Sequence, residues 1–319
     1  MRARRVLIFY ILIAISAIPV LLYFYAYQPK AKTLGSPLPD VLTLYSNNQV
    51  STLDLWNPIV NAAKTFLKDE PQISATSALA YDVNDEKTLY FKNPNEKLPM
   101  ASLTKIVTAI VSLENPENPA LYKVLRQDLV GENVMGLSFG EMLSLNDLLY
   151  GLLLNSGNDA AETLATNYKG GRDAFIKAMN NKVVALGASN THFTNPSGLQ
   201  GDGKQYTTAH DLLVITKYAL SNPTFTKIVG TYEYHVAANN YHKGFDLYNE
   251  TNLLTSYPGV AGVKDGYTDE AGLCLVTYLD YNGKKIIGIL LGSSNRRQEM
   301  KELLDYSLKQ LRVKPPPHS

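Results

Sequence analysis

The spacing of hydrophobic and polar residues changes along the chain, and each spacing predicts a different kind of element. Short runs rich in β-branched and aromatic residues, bounded by turn residues, are typical of β-strands. Such runs are Ser77–Asp82, Lys87–Phe91, Thr231–Val236, Leu273–Tyr281 and Lys285–Gly292. Asn282-Gly283, between the last two runs, is a strong hairpin signal because both residue types tolerate a positive φ.

The middle of the chain, from about Ser102 to Leu220, has a mainly helical pattern. Its first helix carries an apolar stripe at helical spacing. The stripe consists of Leu103, Ile106, Val107, Ile110 and Val111. A last amphipathic segment, Arg296–Leu311, predicts a closing helix. Strands, then helices, then strands and a helix predict an α+β body whose sheet pairs the two ends of the sequence.

The N-terminus has a pattern of its own. Residues 1–5 contain three arginines, and the following run Val6–Tyr27 contains no charged residue. As a helix this run spans roughly 33 Å, which is enough to cross about 30 Å of bilayer hydrocarbon. The positive-inside rule keeps the arginines in the cytoplasm. We therefore expect a single-pass membrane anchor, with a cleaved signal peptide as the alternative.

These patterns divide the chain into five parts. After the cytoplasmic tip 1–5 and the anchor 6–27, the proline-punctuated segment 28–71 is typical of an extracytoplasmic spacer. The body is expected at 72–312, and the proline-rich end 313–319 is expected to be a tail.

Composition excludes some functions without naming one. Lys and Arg number 30 against 29 Asp and Glu, which gives a formal net charge of +1. Without a basic excess to neutralise a phosphate backbone, no nucleic-acid partner is expected. Cys274 is the only cysteine, so an internal disulfide and a cysteine-rich metal site are both excluded.

The first candidate catalytic motif is Ser102-Leu103-Thr104-Lys105. Ser102 and Lys105 are three residues apart, so they share a helix face, and that face points away from the apolar stripe. A lysine so placed can take the serine proton if burial or a cationic neighbour lowers its pKa. Taken alone, the same residues also fit a helix cap beside a solvated lysine.

Two further motifs follow along the chain. Ser156-Gly157-Asn158 comes after an apolar helix, where a hydroxyl and a carboxamide could relay a proton and hold a substrate amide. Lys264-Asp265-Gly266, followed by Tyr267, predicts a strand edge that can pair with an extended peptide. Each fragment recurs elsewhere in the chain, so neither is specific alone, and a plain helix-connecting turn remains the alternative for the Ser156 motif.

In this order the three motifs resemble the S-x-x-K, S-x-N and K-T-G pattern of penicillin-binding proteins and class A β-lactamases. Asn195–Leu199 and Thr207–Leu212 further resemble the Asn-Pro-x-Gly-Leu and Thr-Ala-x-Asp-Leu stretches of D-alanyl-D-alanine carboxypeptidases, the low-molecular-mass penicillin-binding proteins. The resemblance covers about Ile73 to Leu311. It implies a β-lactamase/DD-peptidase-like transpeptidase fold, in which a helical subdomain flanks an antiparallel sheet, outside a bacterial cell membrane.

The resemblance also implies catalytic roles. Ser102 would be the acylated nucleophile that attacks the D-Ala–D-Ala carbonyl, and Lys105 would be its base. Ser156, helped by Lys264, would pass the proton to the leaving D-alanine. No metal or organic cofactor is expected.

The implied substrate-binding residues are Asn158, Lys264, Asp265, Gly266 and Tyr267. Asn158 would hold the substrate amide, and the backbone N–H groups of Ser102 and Tyr267 would form the oxyanion hole. The expected partners are peptidoglycan stem peptides, with β-lactams as inhibitors that acylate Ser102.

One residue departs from the family pattern. Asp265 stands where the family has Thr or Ser, whose hydroxyl binds the terminal carboxylate of the substrate. An aspartate would repel that carboxylate and could raise the pKa of nearby lysines. Either carboxypeptidase turnover is weakened, or the substrate lacks a free carboxylate, as in an endopeptidase that cuts cross-links.

Three other functions remain as alternatives. A class A β-lactamase needs a glutamate in a Glu-x-x-Leu-Asn-like loop, and none lies between Asn158 and Lys264. A non-catalytic protein that senses wall fragments or β-lactams is favoured only by Asp265. A zinc carboxypeptidase would need clustered ligands, whereas His235 and His242 are expected at the surface.

Overall fold

The computed structural model describes residues 70–115, 121–199, 203–251 and 253–318. The expected cytoplasmic tip, the expected anchor and nearly all of the expected spacer lie outside these residues. Within the described ranges, every helix is too short or too polar to cross a bilayer. The fold is therefore that of the body and the tail.

A five-stranded antiparallel sheet joins the two ends of the body. Its strands are β1 (Ser77–Asp82), β2 (Lys87–Lys92), β7 (Val260–Thr268), β8 (Gly272–Tyr281) and β9 (Lys284–Ser293). They lie in the order β2-β1-β9-β8-β7, so β1 pairs with β9 from the far end of the chain. The predicted pairing of the two ends is confirmed. β7, which carries the third motif, is an edge strand of the sheet.

Helices and two small strand pairs complete the fold. The helices are α1 (Lys105–Leu113), α2 (Leu145–Leu153), α3 (Asn158–Thr166), α4 (Gly171–Ala185), α5 (Ala209–Leu220), α6 (Pro223–Val229), α7 (Leu253–Ser256) and α8 (Arg296–Gln310). The strand pairs are β3 (Tyr122–Lys123) with β4 (Met142–Leu143), and β5 (Glu233–Val236) with β6 (Phe245–Tyr248). α8 confirms the predicted closing helix.

The sheet is buried on both faces, which explains the nearly continuous apolar run of β9. Ile286 and Leu290 face a core that includes Leu303 and Leu304 of α8. The alternating residues of β9 face the larger core, which contains α1 to α6. Since side chains alternate across a strand, the apolar residues on each face of β9 are buried in one of these two cores.

Local details test the sequence predictions. The Asn282-Gly283 hairpin is confirmed, with φ angles of +49° and +76° that suit a tight β-turn. His235 is exposed as expected. The surface prediction for His242 was wrong. His242 is buried, and both of its ring nitrogens have hydrogen-bond partners: Asn239 Nδ2 lies 2.8 Å from Nε2, and the Lys243 carbonyl oxygen lies 2.8 Å from Nδ1.

Candidate active site

Ser102 lies in a tight 3₁₀ turn, Ala101–Thr104, that leads directly into α1. Ala101 adopts a φ of +47°, which is uncommon for a residue with a side chain. Two glycines approach this turn closely. A Cβ on Gly198 would lie 2.0 Å from the Ala101 carbonyl oxygen, and a Cβ on Gly266 would lie 2.8 Å from Ser102 N. Ser102 is thus held between two backbone segments, at Gly198 and Gly266, where any side chain would clash with the turn.

Lys105 is completely buried one turn after Ser102. Its Nζ lies 2.9 Å from Ser102 Oγ, and it donates to Asn158 Oδ1 at 2.7 Å and to the Ser197 carbonyl at 2.6 Å. The alternative of a solvated lysine is therefore wrong. The helix face that the apolar stripe leaves free is covered by the segment Asn195–Leu199 instead of by water.

The surroundings of Lys105 favour its neutral form. Burial, followed by the nearby charge of Lys264, lowers the pKa of Lys105 well below that of a free lysine, and Asp265 opposes this only in part. Its three hydrogen-bond partners are a hydroxyl, an amide oxygen and a carbonyl, none of which carries a charge. A neutral amine 2.9 Å from a serine hydroxyl has the geometry of a general base and its nucleophile.

The second motif forms the turn between α2 and α3, as predicted. Ser156 is buried with a φ of +55°. The Asn158 carboxamide accepts from Lys105 at Oδ1 and donates from Nδ2 to the Glu132 carbonyl at 2.8 Å, so both of its ends bind protein. The next residue, Asp159, accepts three backbone N–H groups from residues 135–137 and fixes the loop beside Asn158.

The third motif forms an ion-pair network on β7. Lys264 Nζ lies 2.9 Å from Asp265 Oδ1, and Arg296, at the start of α8, donates to Asp265 Oδ2 at 2.6 Å. Arg296 also donates to the Gly266 carbonyl at 2.6 Å. Burial opposes ionisation of Asp265, but Lys264 and Arg296 outweigh it and hold the pKa of this carboxyl below its usual value.

The structure thus brings the three motifs to one place. Asn158 reaches Lys105 by a hydrogen bond, and Gly266 packs on the Ser102 amide. Among the described residues, no hydrogen bond joins the Ser156 hydroxyl to Lys264, whose ammonium group faces Asp265 instead. A serine with a buried lysine base, beside the edge strand of a sheet, can perform acyl transfer on a peptide that pairs with that strand.

Comparison with known proteins agrees with this geometry. The sequence model described as D-alanyl-D-alanine carboxypeptidase matches residues 64–295. The chain belongs to this family of serine hydrolases. It is 35% identical over 253 residues to the D-alanyl-D-alanine carboxypeptidase DacF of Bacillus subtilis, an alignment that spans 76% of this chain and 64% of that protein.

Solved structures show the same α+β fold for the carboxypeptidase-family domain. The DD-transpeptidase of Streptomyces K15 superposes with a TM-score of 0.72 at 31% identity, covering 76% of this chain and 99% of that one. Penicillin-binding protein D2 from Listeria monocytogenes, in its ampicillin-bound form, gives a TM-score of 0.66 at 30% identity over 76% of this chain and all of that one. The predicted DD-peptidase-like fold is confirmed.

Several residues of this family site were missed by the sequence reasoning. Arg296 was assigned only to the closing helix, and nothing local marks it as a partner of Asp265, 31 residues away. Ser197 and Gly198 lie within the Asn195–Leu199 stretch that resembles the family, but their contacts to Lys105 and Ala101 depend on the fold. The available signal was Asp265 next to Lys264 on a predicted strand, which indicates a buried ion pair without identifying Arg296.

Proposed function

We propose that this family member hydrolyses the D-Ala–D-Ala bond of peptidoglycan stem peptides through an acyl-enzyme on Ser102. The observation that carries the proposal is the 2.9 Å approach of the Nζ of Lys105, a completely buried residue, to Ser102 Oγ. Burial lowers the pKa of the Lys105 amine and so favours its neutral form, which is the form that removal of a serine proton requires.

The arrangement supports the following proposed steps. Lys105 takes the proton of Ser102 as the hydroxyl oxygen attacks the peptide carbonyl. The backbone N–H groups of Ser102 and Tyr267 stabilise the oxyanion. The C–N bond then breaks as the proton held by Lys105 passes through the Ser156 hydroxyl to the departing amine, and water hydrolyses the ester on Ser102. A β-lactam follows the same first step, but its amine remains tethered to the acyl group.

Acylation of the full-length chain by a fluorescent penicillin tests the proposal. We expect one covalent adduct, located on Ser102 by peptide mass spectrometry, together with D-alanine release from a pentapeptide. Ser102→Ala should abolish both signals. Ser112→Ala removes another buried serine hydroxyl, from α1, and should keep them. Labelling that persists in Ser102→Ala, or no Ser102-dependent signal at all, would overturn the acyl-enzyme and favour the non-catalytic alternative.

We also propose that Val6–Tyr27 anchors the protein in the membrane with the catalytic body outside. The support is the uncharged run behind three arginines. The full chain should stay in the membrane pellet after alkaline extraction, and a chain that begins at Gln28 should leave it. If expression of the full sequence instead gives a shorter protein that alkaline extraction releases, the segment is a cleaved signal peptide.

A further inference from the structure

The site contains a carboxylate of its own beside the nucleophile. Asp265 is 7% exposed and binds the two cations of β7 and α8, Lys264 at 2.9 Å and Arg296 at 2.6 Å. Gly266, the next residue on the strand, packs against the backbone of Ser102. The two ion pairs of Asp265 therefore lie one residue away from Gly266, the part of β7 that contacts Ser102.

A carboxylate on the leaving group would need the same cations. In a substrate that ends in free D-alanine, the carboxylate is attached to the carbon next to the scissile nitrogen, so it enters the site with the reacting bond. Lys105 serves as the base, and Lys264 and Arg296 are the cations that the described part of the chain places on either side of Asp265. Both already have a carboxylate partner, and a second carboxylate near Asp265 is repelled in this poorly solvated place.

A further acidic residue adds to this charge balance. The backbone N–H of Glu250 donates to the Leu154 carbonyl at 3.2 Å, which places Glu250 beside the turn that carries Ser156. Glu250 is exposed, and its carboxylate interacts electrostatically with Lys264 and with Asp265. An anionic leaving group therefore meets this second acidic residue in addition to the two ion pairs that Asp265 makes with Lys264 and Arg296.

We propose that Asp265 is a specificity-determining residue that selects peptides cleaved after D-Ala whose leaving group lacks a free carboxylate. Such leaving groups are amidated or extended at that carboxyl, or are amines with no adjacent carboxyl, as in some cross-links. The proposal rests on the acyl-enzyme function proposed above and names the class of substrate within it.

Two matched substrates test the selection. Diacetyl-L-Lys-D-Ala-D-Ala and its C-terminal carboxamide differ only in the leaving-group charge, and cleavage of either gives the same acyl product, diacetyl-L-Lys-D-Ala. With the full-length protein we expect kcat/KM to be about tenfold or more higher for the carboxamide, the size of effect expected from one charge-assisted hydrogen bond. Asp265→Thr and Asp265→Asn should each shift the ratio toward the free acid by a similar factor.

The controls separate the possible failures. Asp246→Asn removes an exposed carboxylate paired with His235 and should leave the ratio unchanged. Turnover of the carboxamide by each Asp265 variant reports that it is folded. A wild-type preference for the free acid, or a preference that survives both Asp265 substitutions, overturns the selection while the acyl-enzyme stands. Absence of Ser102-dependent cleavage of both peptides overturns the acyl-enzyme and the selection together.

Discussion

The substitution Gly198→Ala tests how the nucleophile turn is held. Gly198 has a φ of +85°, and an added Cβ would lie 2.0 Å from the Ala101 carbonyl oxygen. The left-handed conformation costs alanine about 1–2 kcal/mol. Relief of the overlap requires a shift of about 1 Å in Ala101 and costs about 1–3 kcal/mol more, as other overpacked sites do. Because Ser102 follows directly, a displacement of this size should lower kcat/KM about a hundredfold.

Gly140→Ala is the matched control. Gly140 has nearly the same φ, +88°, but an added Cβ would meet nothing within 4 Å. It should therefore show the backbone cost alone and keep near-wild-type activity. The extra loss in Gly198→Ala, about 1–3 kcal/mol, corresponds to a further fall in Tm of about 2–12 °C for a body of this size. Equal Tm values and equal rates of Ser102 acylation for the two variants would refute the close approach.

Three further predictions concern the base and its supports. The acylation rate should rise with pH through the pKa of Lys105, because the base must be neutral. Asp265 raises the pKa of Lys105, so in Asp265→Thr the rate of penicillin labelling should begin to rise at lower pH. A shift of this rise to higher pH would contradict the assignment of Lys105 as the base. Asp159→Asn weakens the acceptor for three backbone N–H groups. This substitution should lower the free energy of unfolding in urea by about 2 kcal/mol and slow the acylation of Ser102. A variant that is as stable as the wild type but inactive would instead assign Asp159 a direct role in the reaction. Thr108→Val removes the 2.6 Å hydrogen bond to the carbonyl before Ser197. It should cost about 1–3 kcal/mol, and an unchanged Tm would show that this bond contributes nothing.

Local sequence patterns predicted the parts of this fold that depend on neighbours in the chain. The β1 bounds Ser77–Asp82, the Asn282-Gly283 turn and the closing helix were predicted because alternation, turn chemistry and amphipathicity are short-range signals. β6 was missed because its alternation of buried and exposed residues lasts only four positions within a polar stretch, which is too short to stand out. The placement of Ser102 and Lys105 on one face is equally local.

The environment of those two residues was not predictable in the same way. The Ser197 carbonyl lies 92 positions from Lys105, and Asn158 lies 53 positions from it. No periodicity relates such positions, so the burial of Lys105 becomes visible only when the segments pack. The effect of Asp265 was likewise only half predicted. Its negative charge was evident, but Arg296, which neutralises it jointly with Lys264, is brought to it by the docking of α8.

The two lysines of the site differ through their partners. Lys105 contacts only uncharged acceptors, whereas Lys264 contacts a carboxylate. Burial and the nearby charge of Lys264 lower the pKa of Lys105, because two cations close together in a buried site repel each other. The carboxylate of Asp265 acts in the opposite direction and raises the pKa of Lys105. The same aspartate that pairs with the two cations beside Ser102 therefore also limits how far the pKa of the proposed base falls.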